Sequence, residues 1–232
     1  MVMGTVDGSG KTPILGASVA NAFQMGEYLR RINPAAPNYA SLYLEIGASY
    51  GVRGDLAFAQ SLKETGFWRF GGSVRAEQNN FAGLGATSRT EGGASFATPE
   101  LGIEAQIQHL YGYATTAPLP GGRPIVDPRF SLLQAAGLRG TAPYWEDLNG
   151  KWAVPGTNYG QDIVTLWKNI QAMPASSGGG GTTPEPENPD AWKREALDWL
   201  VRMQLINSEH DPDAPVTWAE FGTVLRRLRE GL

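Results

Sequence analysis

Glu64 is the residue of this chain best placed for acid chemistry. It lies in the stretch Gly54 to Gly71, GDLAFAQSLKETGFWRFG, just ahead of Gly66, Phe67, Trp68 and Phe70. Leu56, Ala59 and Leu62 fall at helical spacing and predict one apolar face. Asp55 is suited to cap the helix start by accepting from a first-turn amide, and Gly66 suits the left-handed residue that ends it. Glu64 then sits in the last turn, at the negative end of the helix dipole and beside aromatic rings. Both surroundings disfavour an ionised carboxylate and raise its pKa. A carboxyl held protonated near neutral pH is what a general acid for glycosidic bond cleavage needs. A plain solvent-facing glutamate at a helix end has the same local pattern.

Other chemistries have little support. Cysteine is absent from the 232 residues, which removes disulfides, thiol catalysis and thiolate metal sites. The two histidines, His109 and His210, lie about a hundred positions apart, a poor basis for a zinc site. No metal or cofactor is expected, and activity should survive EDTA. The net charge of -4 argues against a nucleic-acid partner. The glycine runs at Gly71-Gly72 and Gly83-Leu84-Gly85 lack the strand-then-helix setting of a phosphate loop. No run of about 18 apolar residues exists to span a membrane. The N-terminus lacks a basic start followed by an apolar run, so no signal peptide is expected.

The elements around Glu64 read as mainly helical. Helical spacing covers Ser18 to about Ile32, Tyr39–Tyr50, Pro99–Ala114, a short piece near Phe130–Ala136, and Gln161 to about Ala172. His109 sits beside the apolar stripe of the third of these segments as a packing or surface residue. Residues 79–98 are rich in Gly, Thr and Ser and read as a small β-hairpin lobe with Glu91 near its tip, or as an irregular surface loop. The fold class is therefore mainly α (α+β). Residues 1–174 form one domain, and 175–189 have linker composition, mixing flexible Gly/Ser with stiff Pro. Residues 190–232 read as a helical hairpin. Trp192, Ala196, Trp199, Met203 and Ile206 form one stripe. Thr217 and Glu220 form a capping box before Phe221, Val224, Leu225 and Leu228. A unit of this size needs docking or self-association to be stable.

The blocks LAFAQSLKETGFWRFGG and QNNFAGLGAT, extended by GVRGDLAFAQ, IQHLYGYA, VDPRF and KWAVPGTNYG, resemble glycoside hydrolase family 73, over roughly residues 14–173. These are endo-β-N-acetylglucosaminidases that cut peptidoglycan, in a lysozyme-like helical fold with a small β-lobe. The resemblance implies that Glu64, in the ETG block, is the catalytic acid. It implies that Asn79 or Asn80 holds substrate near the acetamido group, and that Phe81 and Trp68 are substrate-binding rings. Glu91 matches the second acid of some members and Tyr159 the late active-site tyrosine. Turn formation for the asparagines and a core position for the tyrosine are the alternatives.

Glu91 would activate water in an inverting route, whereas a substrate-assisted route would leave it dispensable. The likeness further implies a phage or prophage endolysin, held in the host cytoplasm until holin-dependent release and acting at the wall. Residues 190–232 resemble a single S-layer-homology-like motif, for wall targeting or self-association. A muramidase, a lytic transglycosylase and a non-catalytic wall-binding protein are the rival readings on the same fold.

Overall fold

The computed structural model describes residues 8, 10–86, 92–153, 156–176, 197, 200–201, 205–206, 210–211 and 213–230. The chain divides into two units, Met1–Gly178 and Gly179–Leu232. Among the described residues the first unit is built from α1 (Ala22–Ile32), α2 (Ala40–Tyr50), α3 (Gly54–Glu64), α4 (Pro99–Ala114), α5 (Phe130–Ala135) and α6 (Tyr159–Gln171). This is the mainly helical architecture expected of a lysozyme-like domain. None of the described helices is long and apolar enough to cross a membrane.

The central helix is α3, which packs against α1, α2, α4 and α6. Every residue from Gly54 to Leu62 is buried, polar Asp55, Gln60 and Ser61 included. The one-sided apolar pattern therefore understates it: α3 is enclosed all round, and its polar side chains must find partners inside. Gly54 lets α3 lie directly on α2, because a Cβ there would fall 2.1 Å from the Tyr43 carbonyl oxygen. Asp55 is not the cap. Arg53 is, and Asp55 lies one residue into the helix. Its carboxylate accepts from Leu56 N at 3.0 Å, Val19 N at 2.8 Å, Ala20 N at 3.0 Å and Trp167 Nε1 at 2.7 Å. It thereby ties the segment before α1 and helix α6 to the start of α3.

Local signals set most other boundaries. Asn21 and Gln24 form a capping box, so α1 begins after Asn21 rather than at Ser18. Thr98 caps α4, with Pro99 in its first turn. The late helix starts at Tyr159, two residues before the expected Gln161.

The expected β-hairpin is corrected: no strand is assigned among the described residues of 79–98. The lobe is loop held by side-chain amides. Asn80 Nδ2 donates to Leu84 O at 2.9 Å and Ala94 O at 3.0 Å, and its Oδ1 accepts from Leu84 N at 2.9 Å. Asn79 Nδ2 donates to Phe96 O at 3.0 Å. These amides take up backbone groups that a strand ladder would otherwise use. Glu91, the expected hairpin tip, lies outside the described residues.

In the second unit, α7 (Trp218–Glu230) is the described helix. Its capping box is present: Thr217 N donates to Glu220 Oε2 at 2.8 Å and Glu220 N to Thr217 Oγ1 at 3.3 Å. Trp218 is 87% exposed, with Phe221 and Leu225 about half exposed on the same side. Arg227 Nη1 donates to the carbonyl of buried Leu205 at 3.0 Å. Of the expected preceding stripe, Trp192, Ala196, Trp199 and Met203 lie outside the described residues, as does most of the linker.

Candidate active site

Glu64 is the last residue of α3, where the helix stops because the chain turns left-handed. Gly66, Phe67, Trp68 and Phe70 all have φ between +52° and +60°. For the three aromatic residues that conformation costs roughly 1–2 kcal/mol each. The turn is held by Phe67 N donating to Leu62 O at 2.7 Å, Phe70 N to Thr65 O at 3.0 Å, and Asn33 Nδ2 to Phe67 O at 2.8 Å. The Trp68 indole anchors it in the core, with ring centroids 5.4 Å from Phe58 and 5.3 Å from Phe81. Burial of that large ring offsets the strain.

This turn, the loop after Asn80 and Trp152 enclose a hollow of about 230 Å³ around Glu64. Phe70 lines its side and Gly83 its rim, where a Cβ would sit only 3.7 Å from Glu64 Oε2. Burial raises the Glu64 pKa above its ordinary value; the Tyr159 hydroxyl, the Lys63 charge and the Trp152 side chain oppose that rise. The carboxyl is thus half-buried, opens into a hollow, and is biased toward its protonated form. Such a group can deliver a proton to an oxygen bound beside it.

Tyr159, the first residue of α6, donates its hydroxyl proton to Glu64 Oε1. The direction of that bond is settled deep in the core. The Ala57 carbonyl can only accept, so the Gln106 Nε2 that lies 2.9 Å from it is correctly the amide nitrogen. Gln106 Oε1 then faces the Tyr43 hydroxyl at 2.8 Å, while the same Nε2 donates to Gln60 Oε1 at 2.8 Å. Gln60 is left with Nε2 toward Tyr159 Oη, at 2.9 Å. With its oxygen accepting from Gln60, the phenol turns its hydrogen to Glu64. Tyr43, Gln60 and Gln106 are all 0% exposed, so water does not scramble this order. Burial and the neighbouring Glu64 both push the Tyr159 phenol well above its ordinary pKa, which keeps it a donor.

The remaining expected site residues divide. Trp68 and Phe81 are 5% and 3% exposed and belong to the core, so neither has a free face for a sugar. Asn80 is 0% exposed with its amide closed on the loop backbone, and Asn79 uses its amide nitrogen on Phe96. Glu91 is outside the described residues. Trp152 was not singled out in the sequence, although it stands in the KWAVPG block; its half-buried ring lines the hollow. Gln60 had a readable signal: it lies four residues before Glu64, on the same helical face.

Trp152 also walls a second hollow of about 310 Å³, which shares Ala82, Gly83 and Ala86 with the first. His109 packs edge-on to Trp152 at 4.9 Å between ring centroids, and its Nδ1 donates to Asp127 Oδ2 at 2.7 Å. Gln108 positions Asp127 in turn, accepting from Val126 N at 2.8 Å and Asp127 N at 3.0 Å.

Comparison with known proteins places the chain in a family. Residues 40–172 match the family model of Glucosaminidase, described as mannosyl-glycoprotein endo-beta-N-acetylglucosaminidase. The chain is also 42% identical over 132 residues to an uncharacterized protein of Borreliella burgdorferi, a match covering 55% of this chain and 62% of that relative. No solved structure matches the chain.

Proposed function

Because the chain belongs to the glucosaminidase family of glycoside hydrolases, we propose that it hydrolyses the β-1,4 bond after N-acetylglucosamine in peptidoglycan, with Glu64 as general acid. The observation that carries this reading is the half-buried Glu64 carboxyl, its pKa raised by burial, in a hollow with the Tyr159 hydroxyl donating to it. Glu64 protonates the leaving oxygen as the bond breaks. The Tyr159 donor, already aimed at Oε1, stabilises the carboxylate that results and returns with it to the acid form. Trp152 and Phe70 supply the ring surface against which the sugar lies. Asn79 and Asn80 serve by holding the loop that forms the rim, which replaces the expected amide contact to the acetamido group.

Two routes complete the reaction. In one, Glu91 activates water; in the other, the substrate acetamido oxygen attacks. Glu91→Gln separates them, because only the first predicts a collapse as deep as that of Glu64→Gln. We further place the enzyme among phage-type endolysins, with residues 190–232 as a single S-layer-homology-like unit for wall targeting or self-association.

Mass spectrometry of digested, purified peptidoglycan tests the reading. New reducing ends of N-acetylglucosamine are expected. Reducing muramic acid, or its anhydro form, would show a muramidase or transglycosylase instead, and wall binding without new ends would show a non-catalytic protein.

A further inference from the structure

We propose that the second hollow walled by Trp152 is a carboxylate-reading subsite, in which Arg129 and Lys151 hold the acidic substituent of a muramic acid unit that adjoins the glucosamine at the cleavage position. This deepens the reading above and rests on it. The first support is continuity. The two hollows share Ala82, Gly83, Ala86 and Trp152, so a polymer lying over Glu64 in one runs on into the other.

The second support is charge. The chain as a whole is acidic, at -4, yet the described lining of this hollow holds Arg129 and Lys151 and no carboxylate. Asp127, behind it, is 1% exposed and paired with His109. A local field opposite in sign to the molecule's net charge favours an anionic ligand there.

The third support is how these cations are presented. Asp127 Oδ1 accepts from Arg129 N at 2.9 Å, which fixes the start of α5, and Asp127 is itself held by Gln108 and His109 from α4. Half-buried Arg129 shares the wall of the hollow with Tyr113, where burial raises the Tyr113 pKa and the Arg129 charge opposes that rise. Lys151 Nζ donates to Thr141 O at 2.5 Å, which anchors the ammonium and leaves two of its three donors for a ligand. A planar guanidinium and an anchored ammonium lining one hollow suit a carboxylate.

The substrate's own chemistry supplies the ligand. N-acetylglucosamine and muramic acid alternate along the strand, so both neighbours of a glucosamine at the cleavage position are muramic acid. In whichever direction the strand runs, the sugar in the second hollow carries the lactyl ether, whose carboxylate is free where no peptide is attached and is replaced by the carboxylates of the peptide where one is.

The test compares purified peptidoglycan with free carboxylates and the same material after conversion of those carboxylates to methylamides. Release of reducing ends by the full-length protein gives kcat/KM for wild type, Arg129→Gln, Lys151→Gln and Arg129→Lys. On native material Arg129→Gln should lose roughly 10- to 100-fold, mostly in KM, the range for a hydrogen bond to a charged group. Arg129→Lys should recover part of the loss. On amidated material wild type and both glutamine variants should converge. Equal losses on both materials, or no loss on native material, overturn the subsite while leaving the glycosidase reading intact. Wild type releasing no ends from either material removes that underlying reading, and the subsite with it.

Discussion

The Tyr159 hydroxyl donates to Glu64 Oε1 while its own oxygen accepts from Gln60 Nε2 at 2.9 Å. Tyr159 opens α6 and Glu64 closes α3, so the contact joins the start of one helix to the end of another. One consequence is that α3 and α6 must pack correctly before the acid is complete. Another is that the Glu64 proton affinity is raised by burial and opposed first by the phenol, then by the Lys63 charge and the Trp152 side chain.

Glu64→Gln should cost about 10²–10⁴-fold in wall lysis, the usual worth of a general acid. The same variant should be more stable than wild type near neutral pH. Folding raises the Glu64 pKa above 4.5, so its stability contribution is complete below about that pH. It is lost as pH rises through the folded value, because the native state must then ionise a half-buried group. Thermal melts of the two proteins should differ at pH 7 and converge below pH 4.5.

Tyr159→Phe removes the donor that favours ionised Glu64. The alkaline limb of the kcat/KM profile, where the acid is lost, should therefore move to higher pH even as the maximum falls, on the order of 10²-fold for one lost preorganised donor. Gln60→Leu should move the limb in the same direction by less, since the phenol stays but is no longer aimed. A limb unmoved in both variants would mean that Glu64 is not the titrating acid.

Trp152→Ala and Trp68→Ala should fail in different ways. Trp152 lines both hollows, and its loss should raise KM with a drop of roughly 10- to 100-fold in kcat/KM, matching an apolar ring's burial against ligand. Trp68 is 5% exposed within the aromatic core, and its truncation should cost about 3–5 kcal/mol of stability. Denaturant melts alongside kinetics distinguish the two.

Gly102→Ala should damage the rim from behind. A Cβ there would fall 1.7 Å from the Asn79 carbonyl oxygen, so α4 or the loop must shift. A loss of about 1–3 kcal/mol is expected for such overpacking. Activity per folded molecule should also fall, because Asn79 and Asn80 lead directly into Gly83.

Truncation after Pro174 decides what the second unit contributes. Lost wall binding at unchanged oligomeric mass supports targeting. A halved mass in light scattering supports self-association through the ridge of Trp218, Phe221 and Leu225, which α7 exposes.

The residues by themselves determined the helical segments and the position of Glu64 at a helix end before a left-handed turn, because caps, glycines and 3.6-residue periodicity act over a few neighbours. They also marked the Thr217–Glu220 capping box, another local signal. Only the tertiary structure decided which rings meet the hollow. The left-handed turn sends Trp68 inward and Phe70 outward, and Trp152 arrives from a loop nearly ninety positions away. It likewise decided that Asn80 is enclosed and that Gln60 aims Tyr159. The hydrogen-bond order from Ala57 through Gln106 joins groups far apart in sequence, and a buried amide's orientation depends on every partner around it rather than on its place in the chain.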